Sequence, residues 1–300
     1  MSSLPIFCDW LDVTYSPDDA PFPAVNRMLL AAGFDAESSD RVTFTYRHPS
    51  TRGVLVFGPS RRSMRVSVSG TICALLRGLG LWHDFLSELS SSPHRVTRVD
   101  AALDLPMDGA DLVDRMRAKH SSGLVNLTRK AVRTSTFLAT RPDDGRETGT
   151  WYAGHRQKAR FTARVYDKAW EALENRGELM PPTARIEVTA KGGDSGATLR
   201  DAAMPAALFW QIAAPALLQA PEDAPVWIPN EDLGWVAPKR EFDPAAVLQR
   251  RVESFAMLDA LAMVADEMGP EGRSYLLSLI RDRLEAPAPT SAGLPAASAA

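Results

Sequence analysis

The sequence predicts an α+β fold, in which a largely antiparallel sheet with packed helices is followed by a small helical C-terminal region. Three stretches alternate apolar with polar residues, and they are 98–104, 161–168 and 185–189. Successive side chains of a strand point to opposite faces, so each stretch forms a strand with one apolar face and one charged face. The strands come in pairs joined by turns rather than singly between helices, which is typical of α+β proteins.

The N-terminal part predicts a strand, a short helix, a three-stranded meander and an amphipathic helix. Their ranges are 7–15, 24–32, 42–46, 53–57, 64–69 and 71–89, the last with a weak point at Gly78 and Gly80. The later elements are the acidic strand 95–105, a helix at 109–119, lesser strands or loops at 124–127 and 134–140, a hairpin of 149–153 with 161–168, a helix at 167–176 and the strand 185–189. Because 7–13 and 99–105 are both short strands with two acids, two similar α+β halves are a further expectation.

The character of the sequence changes after Lys191. Three glycines follow within 192–196, and an Ala- and Leu-rich helical run at 197–220 is interrupted by prolines. Amphipathic helices are predicted at 244–266 and 272–284. The last fifteen residues, 286–300, carry no charge and consist mainly of Ala, Pro, Ser and Thr, which is typical of a disordered tail. We predict a catalytic domain at 1–192, a helical C-terminal region at 193–285 and a tail at 286–300.

Composition restricts the class of protein. The chain of 300 residues is long enough to bury a proper core. No run approaches the roughly twenty apolar residues of a membrane span, and residues 1–10 lack the features of a signal peptide. Cys8 and Cys73 have no disulfide or zinc spacing. We therefore expect a cytoplasmic protein with no membrane partner.

Tyr166 is the strongest candidate for a nucleophile. Arg164 and Lys168 flank it on the same face of a strand, and nearby cations favour the tyrosinate that attacks. Tyr152, in the partner strand of the same hairpin, is the competing candidate. The alternative is an ordinary strand tyrosine whose ring is packed and whose hydroxyl is hydrogen-bonded.

Three carboxylates on two strands are candidates for a metal site. Asp100, Asp104 and Glu187 offer the hard oxygen ligands that suit Mg²⁺ or Mn²⁺, which assist phosphoryl transfer. The alternative is that the acids form ion pairs on the sheet, Asp100 with Arg98 and Glu187 with Arg185.

A local basic region indicates a nucleic-acid partner. The net charge is −3, so the chain is not uniformly basic, but residues 129–168 hold ten lysines and arginines against four carboxylates. Such a surface binds phosphates through charge and counterion release; the alternative is a solvated hairpin face. The residues expected to contact DNA are Arg98, Arg156, Lys158, Arg160, Arg164 and Arg185.

Four motifs in fixed order resemble a known family. They are TRVDAALDL at 97–105, YAGHR at 152–156, RVYDKAWE at 164–171 and RIE at 185–187. Together they resemble the rolling-circle replication initiation factors, which include plasmid trans-acting initiators and the initiators of some filamentous phages. Two further stretches, CDWLDVT at 8–14 and VSVSGTIC at 66–73, resemble the phage branch. The resemblance covers about residues 6–192.

The resemblance implies a metal-dependent DNA-nicking and rejoining enzyme in a bacterial host cell. A tyrosine attacks the origin, stays linked to the 5′ end and frees a 3′-hydroxyl. Carried over by position, Tyr166 is the nucleophile, Lys168 and Arg164 contact phosphate, and the metal ligands are Asp100, Glu187 and Asp104. The hairpin departs from the family pattern, since His155, Gln157 and Lys158 stand where small hydroxyl residues are expected.

The implied partner is the origin DNA of the chain's own replicon, single-stranded or extruded. Further partners could include a host helicase, a host polymerase and a second copy of the chain. Two rival functions remain open. One is a non-catalytic DNA-binding regulator on the same fold, and the other is a structural protein that binds a protein partner through its C-terminal helices.

Overall fold

The computed structural model describes residues 5–38, 42–60, 63–125, 127, 134–142, 144–155, 157–192, 195–215, 217–227 and 269–285. The strands are β1 (Ile6–Tyr15), β2 (Asp35–Ser38), β3 (Phe44–Arg47), β4 (Leu55–Ser60), β5 (Ser63–Val68), β6 (His94–Leu105), β7 (Thr134–Thr140), β8 (Glu147–Ala153), β9 (Phe161–Asp167) and β10 (Ala184–Lys191). The helices are α1 (Phe22–Ala31), α2 (Gly70–Gly78), α3 (Trp82–Ser90), α4 (Gly109–Ser121), α5 (Lys168–Arg176), α6 (Leu199–Ala203), α7 (Ala206–Ala213) and α8 (Gly269–Glu285). A short 3-10 turn lies at Pro17–Asp19.

The described strands form one sheet in the order β2-β3-β4-β5-β1-β6-β10-β9-β8-β7. All the neighbouring pairs are antiparallel. Each half of the sheet begins with a central strand, β1 or β6. A helix then leads to an edge strand, and three further strands return inward until the last lies beside the central one. This confirms the predicted α+β class and the two similar halves.

The helices cover the apolar face of the sheet because the strands alternate as predicted. Val99, Ala101 and Leu103 of β6 are buried, as are Ile186 and Val188 of β10. They belong to one core cluster with residues of α1 to α4, α6 and α7. Helix α4 packs on β8, β9 and β10, while α7 packs on β1, β6, β9 and β10. The opposite face of the central strands is therefore the one that carries polar side chains.

The predicted helix at 71–89 is two helices in the structure. Helix α2 ends at Gly78, and α3 starts at Trp82 after Gly80 adopts a φ of 73°. That backbone conformation favours glycine, so the two glycines end one helix and redirect the chain. The sequence does not predict strand β2, because its residues Asp-Ala-Glu-Ser have no apolar alternation.

The predicted helical run at 197–220 divides at Pro205 into α6 and α7. Leu208 and Phe209 of α7 are fully buried in the core of the sheet. The chain forms two compact units, Met1–Val236 and Ala237–Ala300. The functional division into 1–192, 193–285 and 286–300 stays a prediction. The predicted helix at 244–266 and the tail at 286–300 lie outside the described residues. Helix α8 matches the predicted helix at 272–284, and among the described helices there is no apolar stretch long enough to cross a membrane.

Candidate active site

The charged faces of β6, β10 and β9 lie side by side, as the alternation predicted. Directly opposite residues of an antiparallel pair share a face. The register gives three rows across the strands: Asp104, Arg185 and Tyr166; Ala102, Glu187 and Arg164; Asp100, Thr189 and Thr162. Strand β8 extends the first row with Thr150 and the second with Tyr152. We call this surface the polar face.

Two of the predicted acids are buried, and each accepts hydrogen bonds from an arginine. Asp100 and Glu187 are both 1% exposed. Arg98 donates to the Asp100 carboxylate from Nε at 2.9 Å and from Nη2 at 2.5 Å, and Arg164 Nη2 donates to Glu187 Oε2. The alternative pairing drawn from the sequence is correct for Asp100. It is wrong for Glu187, which bonds Arg164 and not Arg185. The register places Arg164 directly opposite Glu187 on the neighbouring strand β9.

Arg185 bonds the third predicted acid, Asp104, and a further acid, Asp9, that the sequence pattern does not indicate. Its Nε and Nη2 donate to Asp104 at 2.6 and 2.8 Å, and its Nη1 donates to Asp9 Oδ1 at 3.0 Å. Strict alternation puts Asp9 on the apolar face of β1. However, the register of β1 against β6 shifts between Cys8 and Trp10. Such an irregularity re-aims a side chain, and nothing in the local sequence marks it.

The predicted metal ligands do not form a metal-binding trio in this arrangement. Asp100, Asp104 and Glu187 are each bonded to an arginine. Among the residues that the structure describes, no group of three or more His, Cys, Asp or Glu side chains is placed to hold a metal ion. The residues as arranged therefore do not fit a bound cation, and Mg²⁺ or Mn²⁺ stays a prediction of the sequence.

Tyr166 lies in the polar face and is only 6% exposed. The Arg164 guanidinium carbon is 4.8 Å from the centre of its ring, and Lys168 Nζ is 5.9 Å from the same centre. Burial raises the pKa of Tyr166 above its ordinary value, and the charge of Glu187 acts in the same direction. The charges of Arg164 and Arg185 lower the pKa, as expected, but burial outweighs them. The phenol is therefore held as a neutral group in this state.

The other two candidate catalytic residues lie near Tyr166 on different elements. Lys168 is the first residue of α5, and its Nζ bonds Glu171 Oε2 at 2.6 Å. Tyr152 is half-buried on β8, opposite Arg164. Its ring meets that of Phe137 edge to face, with centres 5.8 Å apart.

The predicted DNA-contacting residues divide into two groups. Arg164 and Arg185 lie beside Tyr166, whereas Lys158 and Arg160 are exposed at the other end of β9. At about 3.3 Å per residue, that end is roughly 17 Å from Tyr166. Arg98 pairs in register with Lys191 near the same end, and Arg156 lies outside the described residues.

The residue after Tyr166 fixes the end of β9 to two helices and a hairpin. Asp167 caps α5 by accepting from Trp170 N at 3.0 Å, and it also accepts from Thr148 Oγ1 at 2.7 Å and from Arg141. Arg141 donates from Nη2 at 2.8 Å to Asp108, which caps α4. Arg141 lies in the turn between β7 and β8. Its role depends on contacts 26 and 33 residues away, which local patterns do not reveal.

Gly109, the first residue of α4, lies directly against this junction. A Cβ atom there would meet Asp167 Cα at 2.2 Å. The close approach of backbone to backbone explains why this position holds glycine, and it brings the N-terminus of α4 against the residue that follows Tyr166.

The buried Glu187 predicts a pH-dependent stability. Burial raises the pKa of Glu187 from 4.5 to about 8, although the charge of Arg164 opposes the shift. Between these values the unfolded chain loses a proton that the folded chain keeps, so the free energy of unfolding falls as pH rises. We expect Glu187→Gln, which cannot lose that proton, to weaken this fall by up to about 1.4 kcal/mol per pH unit. Urea unfolding at pH 5 and pH 8 measures it.

Glu174→Gln is the matched control, because Glu174 is exposed on α5. It should keep the wild-type pH dependence. If the free energy of unfolding changes by the same amount between pH 5 and pH 8 in wild type and in Glu187→Gln, Glu187 is ionised in the folded chain at both pH values.

Comparison with known proteins identifies a fold. No protein-family model matches the chain, and no curated protein matches it. Among solved structures, the chain is similar to a rolling circle replication initiator protein from Geobacillus stearothermophilus. The TM-score is 0.50 and the identity 17%, over 70% of this chain and 86% of that one. At this identity the similarity establishes the fold, and it confirms at that level the resemblance carried by the four motifs. The chain has the fold of a rolling-circle replication initiator.

Proposed function

We propose that the chain initiates rolling-circle replication by nicking its replicon's origin with Tyr166. The observation that carries the proposal is the position of the Tyr166 phenol. It lies on the polar face beside the guanidinium groups of Arg164 and Arg185, in a fold shared with an initiator protein. Guanidinium groups bind phosphate oxygens and neutralise the charge that builds up during phosphoryl transfer. A tyrosine between two of them is suited to attack a phosphodiester.

In the proposed reaction, the Tyr166 oxygen attacks the scissile phosphorus and loses its proton. The bond from phosphorus to the 3′-oxygen breaks, and that oxygen takes up a proton to become the free 3′-hydroxyl. The 5′-phosphate remains bonded to the tyrosine. Because one phosphate ester replaces another, the reverse attack by a 3′-hydroxyl can rejoin the strand. The partners proposed are origin DNA, a host polymerase that extends the 3′-hydroxyl, and a host helicase; a homodimer is also proposed.

A divalent metal remains part of the proposal only because the candidate ligands are of the chemical type that binds one. Asp100, Asp104 and Glu187 are hard oxygen donors of the kind that bind Mg²⁺ or Mn²⁺. All three are paired with arginines in the arrangement described above.

The first experiment uses the wild-type chain. Supercoiled DNA carrying the replicon's own origin is incubated with the protein and Mn²⁺, and the products are separated under denaturing conditions. We expect a protein–DNA adduct on the 5′ end and an extendable 3′-hydroxyl. Repeating the reaction with EDTA tests the metal requirement.

A specific observation also favours the second candidate, a non-catalytic DNA-binding regulator. Tyr166 is almost fully buried, and the three acids of the polar face are already paired with arginines. The regulator predicts salt-dependent binding to the origin without any adduct, since phosphate contacts weaken as salt rises. Tight binding with no adduct in Mn²⁺ or Mg²⁺ would decide for it.

A further inference from the structure

An exposed aromatic side chain lies on the edge of the sheet that is nearest to Tyr166. Phe137 of β7 is 58% exposed. The register places it in the same row as Thr150 and Tyr166, so its ring is on the polar face. It meets the half-buried Tyr152 ring edge to face at 5.8 Å, and Tyr152 in turn lies opposite Arg164.

These side chains lie in two adjacent rows between the exposed edge of the sheet and Tyr166. Exposure falls from 58% at Phe137 through the half-buried Tyr152 to 6% at Tyr166. Thr150, the residue between Phe137 and Tyr166, is shorter than either ring, so the row is low in its middle. β7 and β9 are separated by two strand spacings, or about 10 Å, which is roughly the span of one or two nucleotides.

We infer that Phe137 and Tyr152 form a stacking platform for the unpaired bases next to the scissile phosphate. Aromatic side chains beside cationic ones bind single-stranded nucleic acid, because every base has a face that stacks while the phosphates follow the positive charge. Here Arg164 supplies that charge in the row beside Phe137 and next to Tyr152. The inference rests on the proposed function, and it adds a surface that distinguishes unpaired from paired bases.

The neighbouring residue of β7 provides a matched control. Leu138 is also exposed, at 40%, but it points to the opposite face of the strand, paired with Gly149. Phe137→Ala and Leu138→Ala therefore both remove an exposed apolar side chain from the same edge. Only Phe137→Ala removes a ring from the polar face, and Phe137→Trp keeps a ring there.

The probe is an oligothymidine of about twelve nucleotides carrying one 2-aminopurine, a length within the range of single-strand sites. We expect the wild type to quench the probe. Phe137→Ala should bind it about 5- to 150-fold more weakly and lose the quenching, on the usual contribution of one stacked base. Leu138→Ala should stay within about twofold of wild type and Phe137→Trp should restore binding. A duplex of equal length should not distinguish the variants.

Other outcomes overturn the inference. Equal losses in Phe137→Ala and Leu138→Ala, or equal losses on duplex and single strand, would assign the effect to the edge strand or to charge. If Phe137→Ala instead converts a dimer into a monomer by light scattering without changing probe affinity, the surface binds a second copy. A wild type that fails to bind the probe also overturns it.

The platform and the nicking reaction fail separately. An adduct formed normally by Phe137→Ala, with unchanged probe binding, removes the platform and leaves the nuclease. If the wild type makes no adduct but Phe137→Ala still loses probe binding, the stacking platform is supported and the protein is a DNA-binding regulator.

Discussion

Replacing Tyr166 with phenylalanine is expected to abolish the covalent protein–DNA adduct and to slow nicking by a factor on the order of a thousand or more, as loss of a nucleophile does. Phenylalanine lacks only the oxygen that attacks. It keeps the ring over which the Arg164 guanidinium lies at 4.8 Å, so the polar face and origin binding should be retained. Origin binding is measured by mobility shift, and the adduct by a labelled 5′ end under denaturing conditions.

Tyr152→Phe is the control for this experiment. Tyr152 lies on the adjacent strand of the same face, two positions from the row that contains Tyr166. It should therefore experience the same DNA and the same solvent conditions. An adduct lost only in Tyr152→Phe would move the nucleophile to β8 and keep the enzyme class. Adducts that persist in both single variants would exclude each tyrosine as the sole nucleophile.

The alternation of apolar and polar residues predicted most of the fold and the neighbourhood of the site. In an antiparallel sheet, the register that buries Val99, Ile186 and Val165 on one face fixes what lies opposite. Once β6, β10 and β9 are neighbours, Asp104, Arg185 and Tyr166 must share a face, and the register then places them in one row. The pattern of pairs and turns likewise predicted an antiparallel sheet, because consecutive strands without an intervening helix pair in hairpins.

Side-chain pairing and burial could not be predicted in the same way. Arg185 has three carboxylates within one or two rows; Asp104 lies directly opposite it, and its bond to Asp9 depends on the bulge in β1. The neutral state of Tyr166 depends on how deeply the packed sheet buries it, because burial outweighs the charges of Arg164 and Arg185. Local sequence contains neither the bulge nor that packing.

The pairing of acids with arginines explains how the polar face tolerates buried charge. Asp100 and Glu187 are 1% exposed, and an isolated carboxylate at such a depth would be strongly destabilising. Each instead has an arginine whose side chain is about one-third exposed, at 33% for Arg98 and 36% for Arg164. The Arg98 guanidinium therefore neutralises Asp100, and the Arg164 guanidinium neutralises Glu187 once Glu187 ionises above its raised pKa.

Behind Tyr166, Arg141 joins Asp108 to Asp167, and we call this the junction behind Tyr166. Breaking it is expected to cause a large loss of stability. Arg141 is 13% exposed and bonds both Asp108 and Asp167, the latter only 1% exposed. Although burial acts against it, hydrogen bonds from Arg141 and from Ala110 N keep the pKa of Asp108 below its usual value. Arg141→Ala would leave the Asp167 carboxylate buried without its cation, and removal of one partner of a buried pair costs about 3 kcal/mol or more. Urea unfolding at pH 7 measures the loss.

Arg146→Ala separates this buried effect from the general charge of the hairpin. Arg146 also bonds Asp108, at 3.2 Å, and it bonds Asp111 at 2.6 Å, but its side chain is 44% exposed. Exposed ion pairs contribute little because water screens them, so this variant should unfold close to wild type. Arg141→Lys keeps the charge but cannot bridge two carboxylates with a planar fork, and it should fall between the two. Equal unfolding curves for Arg141→Ala and Arg146→Ala would mean that the junction behind Tyr166 is held by the cap of α5 and by the contact with Gly109, not by the arginine.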